Sequence, residues 1–531
     1  MDARRERLSP VLTAALLALV VLRVLYHSTY LAEVPFALAT FSDGAQYELA
    51  ARDLLEHAPL GTKPFYLQGL YAYLMAAPMT IRAWVSFALL LQLVLAGLTH
   101  AWFFRAVSRW RGRTEAGWAT VALLSFPMLA FYENKFLTGS LAVTVSVAVL
   151  AAAVRVHESP SPRRWLVLGL AVGVAVLGRP NFALLVPLLA VAAWRTADHR
   201  AKRIGAFAVG VVLALLPMAG RNAAVTGRAT VLPAHGGGTS FYIGNNAHAR
   251  GVWNDAGGLL SGDVSREREE LREILGVPAG SDAEEIAAIG GALYRRGLSE
   301  IAQSPGRWLW LEVRKVWLMV GNDELTQDYD HFGEREMLWC SPSIGVPFGV
   351  ALAFAVFGVG RLRGSGVIGW ALLGLVVCTV AANVLYFTSA QHRLPLLVPV
   401  AVALPEGVRA LRAAARSRRW LVLVGFSLLL GASFWPRSRK TDPSAVHYYN
   451  LAVAWRYVGQ PDRAIATMDR AIELRPDHPV IRVERAKALR ERGAFARAKA
   501  DLDILEQQDT LPGWVQAQIL DERRRLRSWG Y

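Results

Sequence analysis

Apolar runs follow one another through the first 435 residues, at 9–25, 84–104, 116–131, 136–154, 165–177, 182–194, 204–219, 344–359, 367–387, 394–408 and 420–434. A chain interrupted this often by long uncharged stretches can hide them by laying them side by side across a bilayer, as helices whose backbone groups are satisfied internally. The expected fold is all-α: a polytopic membrane helix bundle of about eleven spans over residues 1–435. Several runs are shorter than the roughly 20 residues that cross a bilayer perpendicularly, which puts a margin of one or two on the count. Composition agrees, since 53% of residues are hydrophobic and 19% charged, too little charged surface for a soluble fold of this size. The amino end MDARRER is followed by no small-residue cleavage site, so the first run is expected to stay as a helix.

The formal charge of +16 would suit nucleic acid, but the arginines cluster in short loops beside apolar runs, where they set topology. No nucleic-acid partner is expected. The basic loops at 105–113, 155–164, 195–203, 360–364 and 409–419 all fall on the side of the amino terminus, which is read as cytoplasmic in an inner (plasma) membrane. The opposite, extracytoplasmic side receives a first loop at about 28–83, a turn at Glu133, the turn 178–181, a long segment at 220–343, the loop ending at Arg393 and the carboxyl-terminal domain. Two weaker runs, 65–79 and 308–320, are read as helices lying on the outer surface. Cys340 and Cys378 stand in different surroundings and offer neither a disulfide framework nor a metal knuckle.

Residues 444–531 carry a repeat. Ala452, Gly459, Ala464, Ala471 and Pro476 occupy the small-residue and proline positions of a tetratricopeptide helix pair, and Ala486, Gly493 and Ala498 recur one period later. The last helical stretch, 513–529, is expected to cap two such units, which bury little core alone. Arrays of this kind bind peptides or partner proteins.

Candidate chemistry lies on the outer side. Asp43 opens the amphipathic stretch after the first run, where it is either an N-cap or an exposed carboxylate for catalysis. Glu133 lies at the membrane boundary, where a charge needs compensation; Lys135 offers a local ion pair as the structural alternative. Arg179, Arg221 and Arg393 each mark an outer span end against the bias that keeps arginine inside. Guanidinium pairs bidentately with phosphate oxygens, so a lipid phosphate is one reason for them, and snorkelling to headgroups is the other. The triplet 236–238 lacks the Lys-Ser/Thr of a phosphate loop, so it and Asn245-Asn246 are read as a turn that shapes the outer pocket. The inner spans carry few ionisable residues, which argues against a transporter.

FSDGAQY around Asp43, the acid Glu133 in the next outer turn, GRPN at 178–181, RN-x4-G followed by GGGTSFYIGNN between Arg221 and Asn246, and HRLPLLVP near the end occur in an order that resembles GT-C glycosyltransferases. Within that group the chain is most similar to the protein mannosyltransferase and aminoarabinose transferase branch, family 39. The resemblance implies an enzyme that takes a sugar from a polyprenyl-phosphate carrier and passes it, with inversion, to a protein or glycan acceptor outside the cytoplasm. It implies Asp43 as base, with Glu133 as the second acid, and the same two acids as candidate ligands of a divalent metal ion. Arg393 matches the arginine of an R-x-P motif and is the leading candidate for the carrier phosphate, joined by Arg179, Arg221, Tyr47 and His392. Gly139 stands where many relatives have a further acid, and His392 where an aromatic residue is usual. Two other classes stay open. One is a surface-polysaccharide ligase or polymerase that relies on outer arginines rather than an early acid. The other is a non-enzymatic membrane anchor that displays the repeats.

Overall fold

The computed structural model describes residues 7–195, 199–233, 237–253, 267–325, 327, 329–340, 345–362, 364–435, 445–508, 511 and 513–531. Among them there is no strand. The chain runs through α1 (Pro10–Glu33), α2 (Asp43–Glu56), α3 (Gly69–Ala76), α4 (Trp84–Arg111), α5 (Arg113–Leu124), α6 (Pro127–Glu133), α7 (Thr138–Glu158), α8 (Pro162–Gly178), α9 (Leu185–Arg195) and α10 (Arg200–Thr226). It continues through α11 (Gly238–Asn245), α12 (Glu267–Leu275), α13 (Asp282–Gln303), α14 (Pro305–Met319), α15 (His331–Arg335), α16 (Phe348–Gly358), α17 (Gly366–Leu385), α18 (Ala390–Arg393), α19 (Leu397–Arg416) and α20 (Trp420–Ser433). The last five helices are α21 (Ala445–Tyr457), α22 (Pro461–Leu474), α23 (Pro479–Glu491), α24 (Phe495–Glu506) and α25 (Gly513–Arg527). Two compact units result. The first joins Met1–His27, Asp43–Thr326 and Cys340–Ser438, and the second joins Ser28–Ser42, Gln327–Trp339 and Arg439–Tyr531.

The first unit is a polytopic membrane bundle. Every apolar run expected to span is helical, but among the described residues six helices are long and apolar enough to cross, namely α1, α4, α7, α10, α17 and the stretch Ala390–Arg416. Counting α5 with α6, bent by 68° at a short break, as one span makes seven. The stretches Pro180–Arg195, Phe348–Leu362 and Trp420–Ser433 are apolar but shorter. Proline explains part of the shortening, because Pro180 and Pro347 lack the N–H that would extend a helix backward. The two runs expected to lie on the surface form α3 and α14, both too short to span. On α14, Leu309, Trp310 and Val313 are all exposed, as a helix with an apolar face against lipid requires.

Small residues let spans touch backbone to backbone. A side chain at Gly169 of α8 would strike the Phe207 carbonyl at 2.1 Å, and one at Gly210 of α10 would strike the Leu166 carbonyl at 2.2 Å. Without hydrophobic drive between helices in lipid, this approach is what binds α8 to α10.

The break between α5 and α6 is held by a charge from α1. Pro127 interrupts the ladder, and carbonyls at the end of α5 lose their partners. Arg23 supplies them: its Nε and Nη2 donate to the Leu124 carbonyl at 3.1 and 3.0 Å, Nη2 also reaches the Phe126 carbonyl at 3.4 Å, and Val346 N donates to the Ser125 carbonyl at 3.0 Å. The remaining nitrogen of Arg23 pairs with Glu133 at the end of α6. His27 and His100 place Nε2 atoms 3.4 and 3.8 Å from the same carboxylate. The spans therefore hold more ionisable groups than the sequence reading allowed.

Three basic loops meet at one end of the bundle. Buried Glu406 of α19 pairs with Arg111, with Arg361 at 2.9 Å and with Arg409 at 2.9 Å, and Arg409 reaches Glu115 at 2.9 Å. That is one fixed arginine-rich end, built around two carboxylates.

In the second unit each of the five last helices packs on a neighbour in sequence. Ala452, Ala464, Ala471, Ala486 and Ala498 are all buried, and Gly459 and Gly493 turn the chain at φ 76° and 82°, a left-handed region that favours glycine. Arg485 joins Asp501 and Asp469 at 2.5 and 2.6 Å, and Arg490 joins Glu522 at 2.6 Å. The unit also includes chain from elsewhere: Tyr329 packs edge-on against Phe36 and Phe41, and His447 lies so close to Gly333 that a side chain there would meet it at 2.1 Å.

Breaking the Arg23–Glu133 pair leaves a buried charge unpaired, which costs about 3–5 kcal/mol. Arg23→Ala is therefore expected to lower the thermal unfolding midpoint in detergent sharply. It should exceed the effect of Glu133→Gln, because only the arginine also caps the α5 carbonyls. Equal midpoints for Arg23→Ala and wild type would refute this account of the break.

Candidate functional site

Asp43 is the first residue of α2, half-buried, at the helix end where the backbone dipole favours a carboxylate. One turn on, the buried Tyr47 phenol lies within electrostatic reach of Asp43, Tyr71 and Arg179, near Thr138 at the start of α7. It also bonds Gln68 Oε1, and its ring packs edge-on against Tyr71 at 4.7 Å. Burial, and then the Asp43 carboxylate, push the Tyr47 phenol well above its ordinary range. It stays a neutral donor throughout the working pH range.

Arg179 ends α8. Pro180 forbids the helical conformation before it, and Arg179 turns extended at φ −152°, ψ 120°. Its guanidinium is buried, within electrostatic reach of Tyr47, Tyr132 and His392. Among the described residues it has no hydrogen-bond or ion-pair partner. His392 is half-buried on α18, whose start is capped by the Ser389 hydroxyl, and its Nδ1 lies 3.2 Å from the Phe387 carbonyl. The structure thus brings Asp43, Tyr47, Arg179 and His392 of the expected set into one neighbourhood.

The other expected residues are engaged in binding the fold together. Arg393 is buried, with Nη1 on the carbonyls of Met319 and Gly321 at 3.1 and 2.9 Å and Nη2 on the Asp323 carbonyl and Glu324 at 3.0 and 2.6 Å. It clamps the segment after α14. Arg221 donates to the carbonyls of Leu60 and Lys63 at 2.8 and 2.6 Å and stacks over Phe65 at 3.7 Å. Asn245 donates to the Leu385 carbonyl at 2.9 Å and accepts from Trp308 and Lys315 at 3.1 and 3.2 Å, tying α11 to α14 and α17. Asn246 bonds back to Tyr242 and Ile243 and receives Arg307 on its carbonyl. Glu133 faces Arg23, His27 and His100, as described above. At Gly139 a side chain would meet Leu394 at 2.9 Å, so a further acid there would press on the chain after Arg393. Among the described residues no group of three or more His, Cys, Asp or Glu is placed to hold a metal ion. No step proposed below runs through a metal.

Two important residues escaped the sequence reading. Asp53 accepts from Thr62 N at 2.8 Å, Thr62 Oγ1 at 2.7 Å and Lys63 N at 3.1 Å. Gly61, at φ 67°, lets the loop pass, because a side chain there would strike Asp53 at 2.4 Å. Together with Arg221, Asp53 fixes the loop that follows α2. Lys315, fully buried, binds Glu312 at 2.7 Å and the Val384 carbonyl at 2.8 Å. The only sign in sequence was a charge set in an apolar run.

Residues 69–220 match the family model described as dolichyl-phosphate-mannose-protein mannosyltransferase. That stretch includes Glu133 and Arg179 and begins after Asp43. No curated protein matches the sequence significantly. Among solved structures, the apo oligosaccharyltransferase of Archaeoglobus fulgidus is similar at 13% identity and a TM-score of 0.42, over 87% of this chain and 59% of that one. ArnT from Cupriavidus metallidurans bound to undecaprenyl phosphate is similar at 16% identity and a TM-score of 0.32, over 73% of this chain and 77% of that one. The chain thus spans a little over half the length of the archaeal protein.

Burial by itself would raise the Asp53 carboxyl, but the Thr62 hydroxyl and the amides of Lys63 and Thr62 outweigh it and hold the group below its ordinary value. The stabilisation is therefore complete above the unfolded value of about 3.9 and is lost as pH falls through the lower folded one. Asp53→Ala should cost the loop about 1–3 kcal/mol. Hydrogen exchange checks this: the Thr62 and Lys63 amides are expected to exchange faster in the variant, and unchanged protection would exclude the role.

Proposed function

We propose that the protein is a membrane glycosyltransferase that moves a sugar from a polyprenyl-phosphate carrier to a protein or glycan acceptor on the extracytoplasmic side. The observation that carries the reading is the Arg179 guanidinium, buried without a described partner beside Tyr47 and Asp43. A buried, unpaired cation calls for an anion. The match of residues 69–220 supports a lipid-linked sugar as its source.

In this reading the acceptor hydroxyl or amine attacks the anomeric carbon and gives its proton to Asp43. The new bond forms as the bond from that carbon to the phosphate oxygen breaks, and the electron pair leaves on the phosphate. Attack opposite the leaving group inverts the centre. Arg179 stabilises the growing phosphate charge, so no separate proton donor is needed. Tyr47, held neutral and donating to Gln68 Oε1, lies beside Asp43 and Arg179 and fixes the wall between them. Arg221 and Arg393 support the walls through the backbone carbonyls they bind.

Turnover of radiolabelled polyprenyl-phosphate sugars by the purified protein tests this. Asp43→Asn should lower kcat by about 10²–10⁴-fold, while Arg179→Ala should lower kcat and raise the KM for the donor. Full activity in Asp43→Asn together with its loss in Arg393→Ala would favour a ligase of surface polysaccharide. A chelator arm, with metal added back, decides whether a divalent ion joins Asp43.

We read the five last helices as a tetratricopeptide-like array that binds a protein partner or acceptor, supported by the buried alanines at the repeat positions. Removing residues 444–531 is expected to reduce modification in cells more than turnover of a small acceptor in detergent. Equal loss in both counts against recruitment.

A further inference from the structure

A cavity of about 1010 Å³ lies between α1, α4, α5 and α7. It is large enough for a lipid head, and its lining is divided by chemistry. At one end stand Arg105, Arg109, Arg113 and Arg155. No described carboxylate forms an ion pair with any of them, unlike the neighbouring Arg111 and Arg409, which Glu406 and Glu115 neutralise. Further along are Thr120, His100 and Glu133. Arg113 Nε, Thr120 Oγ1, His100 Nε2 and Glu133 Oε1 are all buried without a hydrogen-bond partner. Buried polar atoms are paired as a rule, so Arg113 Nε and Thr120 Oγ1 beside the cavity mark the place of a polar ligand, whereas His100 Nε2 and Glu133 Oε1 already face each other at 3.8 Å. The wall between α1 and α4 is apolar, with Leu16, Val20 and Val24 facing Leu93, Gly97 and Ala101. The apolar window of α1 is only 17% buried, so this helix stands off from the bundle and leaves a slot beside the cavity.

We propose that the cavity binds the head of an anionic, phosphate-bearing lipid. Its phosphate sits among the four guanidinium groups, its other polar groups reach Thr120, His100 and Glu133, and its chain leaves through the slot between α1 and α4. Four forked donors without acids match a phosphate in number and geometry. The phosphate end of the site is separate from the Asp43 neighbourhood: Arg155 stands about 25 Å along α7 from Thr138, which lies near Tyr47.

The test is binding to the purified full-length protein in detergent, in an Arg179→Ala background so that the candidate transfer site does not contribute. The probes are dihexanoyl phosphatidylglycerol, dihexanoyl phosphatidylcholine, citronellyl phosphate and inorganic phosphate. Saturable binding of the phosphatidylglycerol or of citronellyl phosphate is expected, and the tighter of the two names the source. Arg105→Gln/Arg109→Gln should weaken it by about tenfold or more. Gly97→Leu should do the same without touching a charge, because a side chain there meets no atom within 4 Å and extends into the cavity. Arg412→Gln, outside the cavity, should bind like the parent. The proposal is overturned if both cavity variants bind normally, if the phosphatidylcholine or inorganic phosphate binds as tightly as the anionic lipids, or if neither anionic lipid binds.

Discussion

One buried cation on the first span holds the membrane unit in register. Arg23 closes the carbonyls freed where Pro127 breaks the α5–α6 span, and its charge is answered by Glu133 at the far end of the short second helix. A break of this kind inside lipid is tolerable only when its backbone groups find partners. Placing a guanidinium there meets the need, and the acid then becomes obligatory, because an unpaired cation in the same spot would cost more than the break itself. The position of Glu133 follows from helix geometry before any catalytic demand is made of it.

The same solution recurs across the bundle. Arg221 holds the carbonyls of the loop after α2, Arg393 those of the segment after α14, and Lys315 the carbonyl of Val384 at the end of α17. Each cation lies where an irregular stretch of backbone meets a helix end. Helices satisfy their own peptide groups, but turns between them do not, and long basic side chains can reach several carbonyls at once. Arginine at an outer span end can therefore serve the backbone as readily as a phosphate.

This explains which parts were legible in the sequence. The helices were, because the apolar runs state them directly, and so was the placement of Asp43 and Tyr47 one turn apart on α2. The number of helices long enough to span was not, since the runs at 182–194, 344–359 and 420–434 form helices shorter than a span. The role of Glu133 was hidden because its partner lies 110 residues earlier, in a run where one arginine is easily passed over. Arg393 was hidden for a different reason. Its motif marks where it leaves the chain, but the direction of its side chain is set by carbonyls near residue 320, and no local pattern announces them.

What separates Arg179 from Arg221 and Arg393 is then the absence of such a duty. The chain on either side of it is already satisfied: α8 closes onto its amide through the Ala175 carbonyl, and Pro180 needs no partner for an N–H it lacks. No loop carbonyl claims the guanidinium among the described residues, although it too is buried. Backbone oxygens fill Arg23, Arg221, Arg393 and Lys315, whereas no described partner fills Arg179. That difference lies beside the Tyr47 phenol and the Asp43 carboxylate that the first loop brings to the same place.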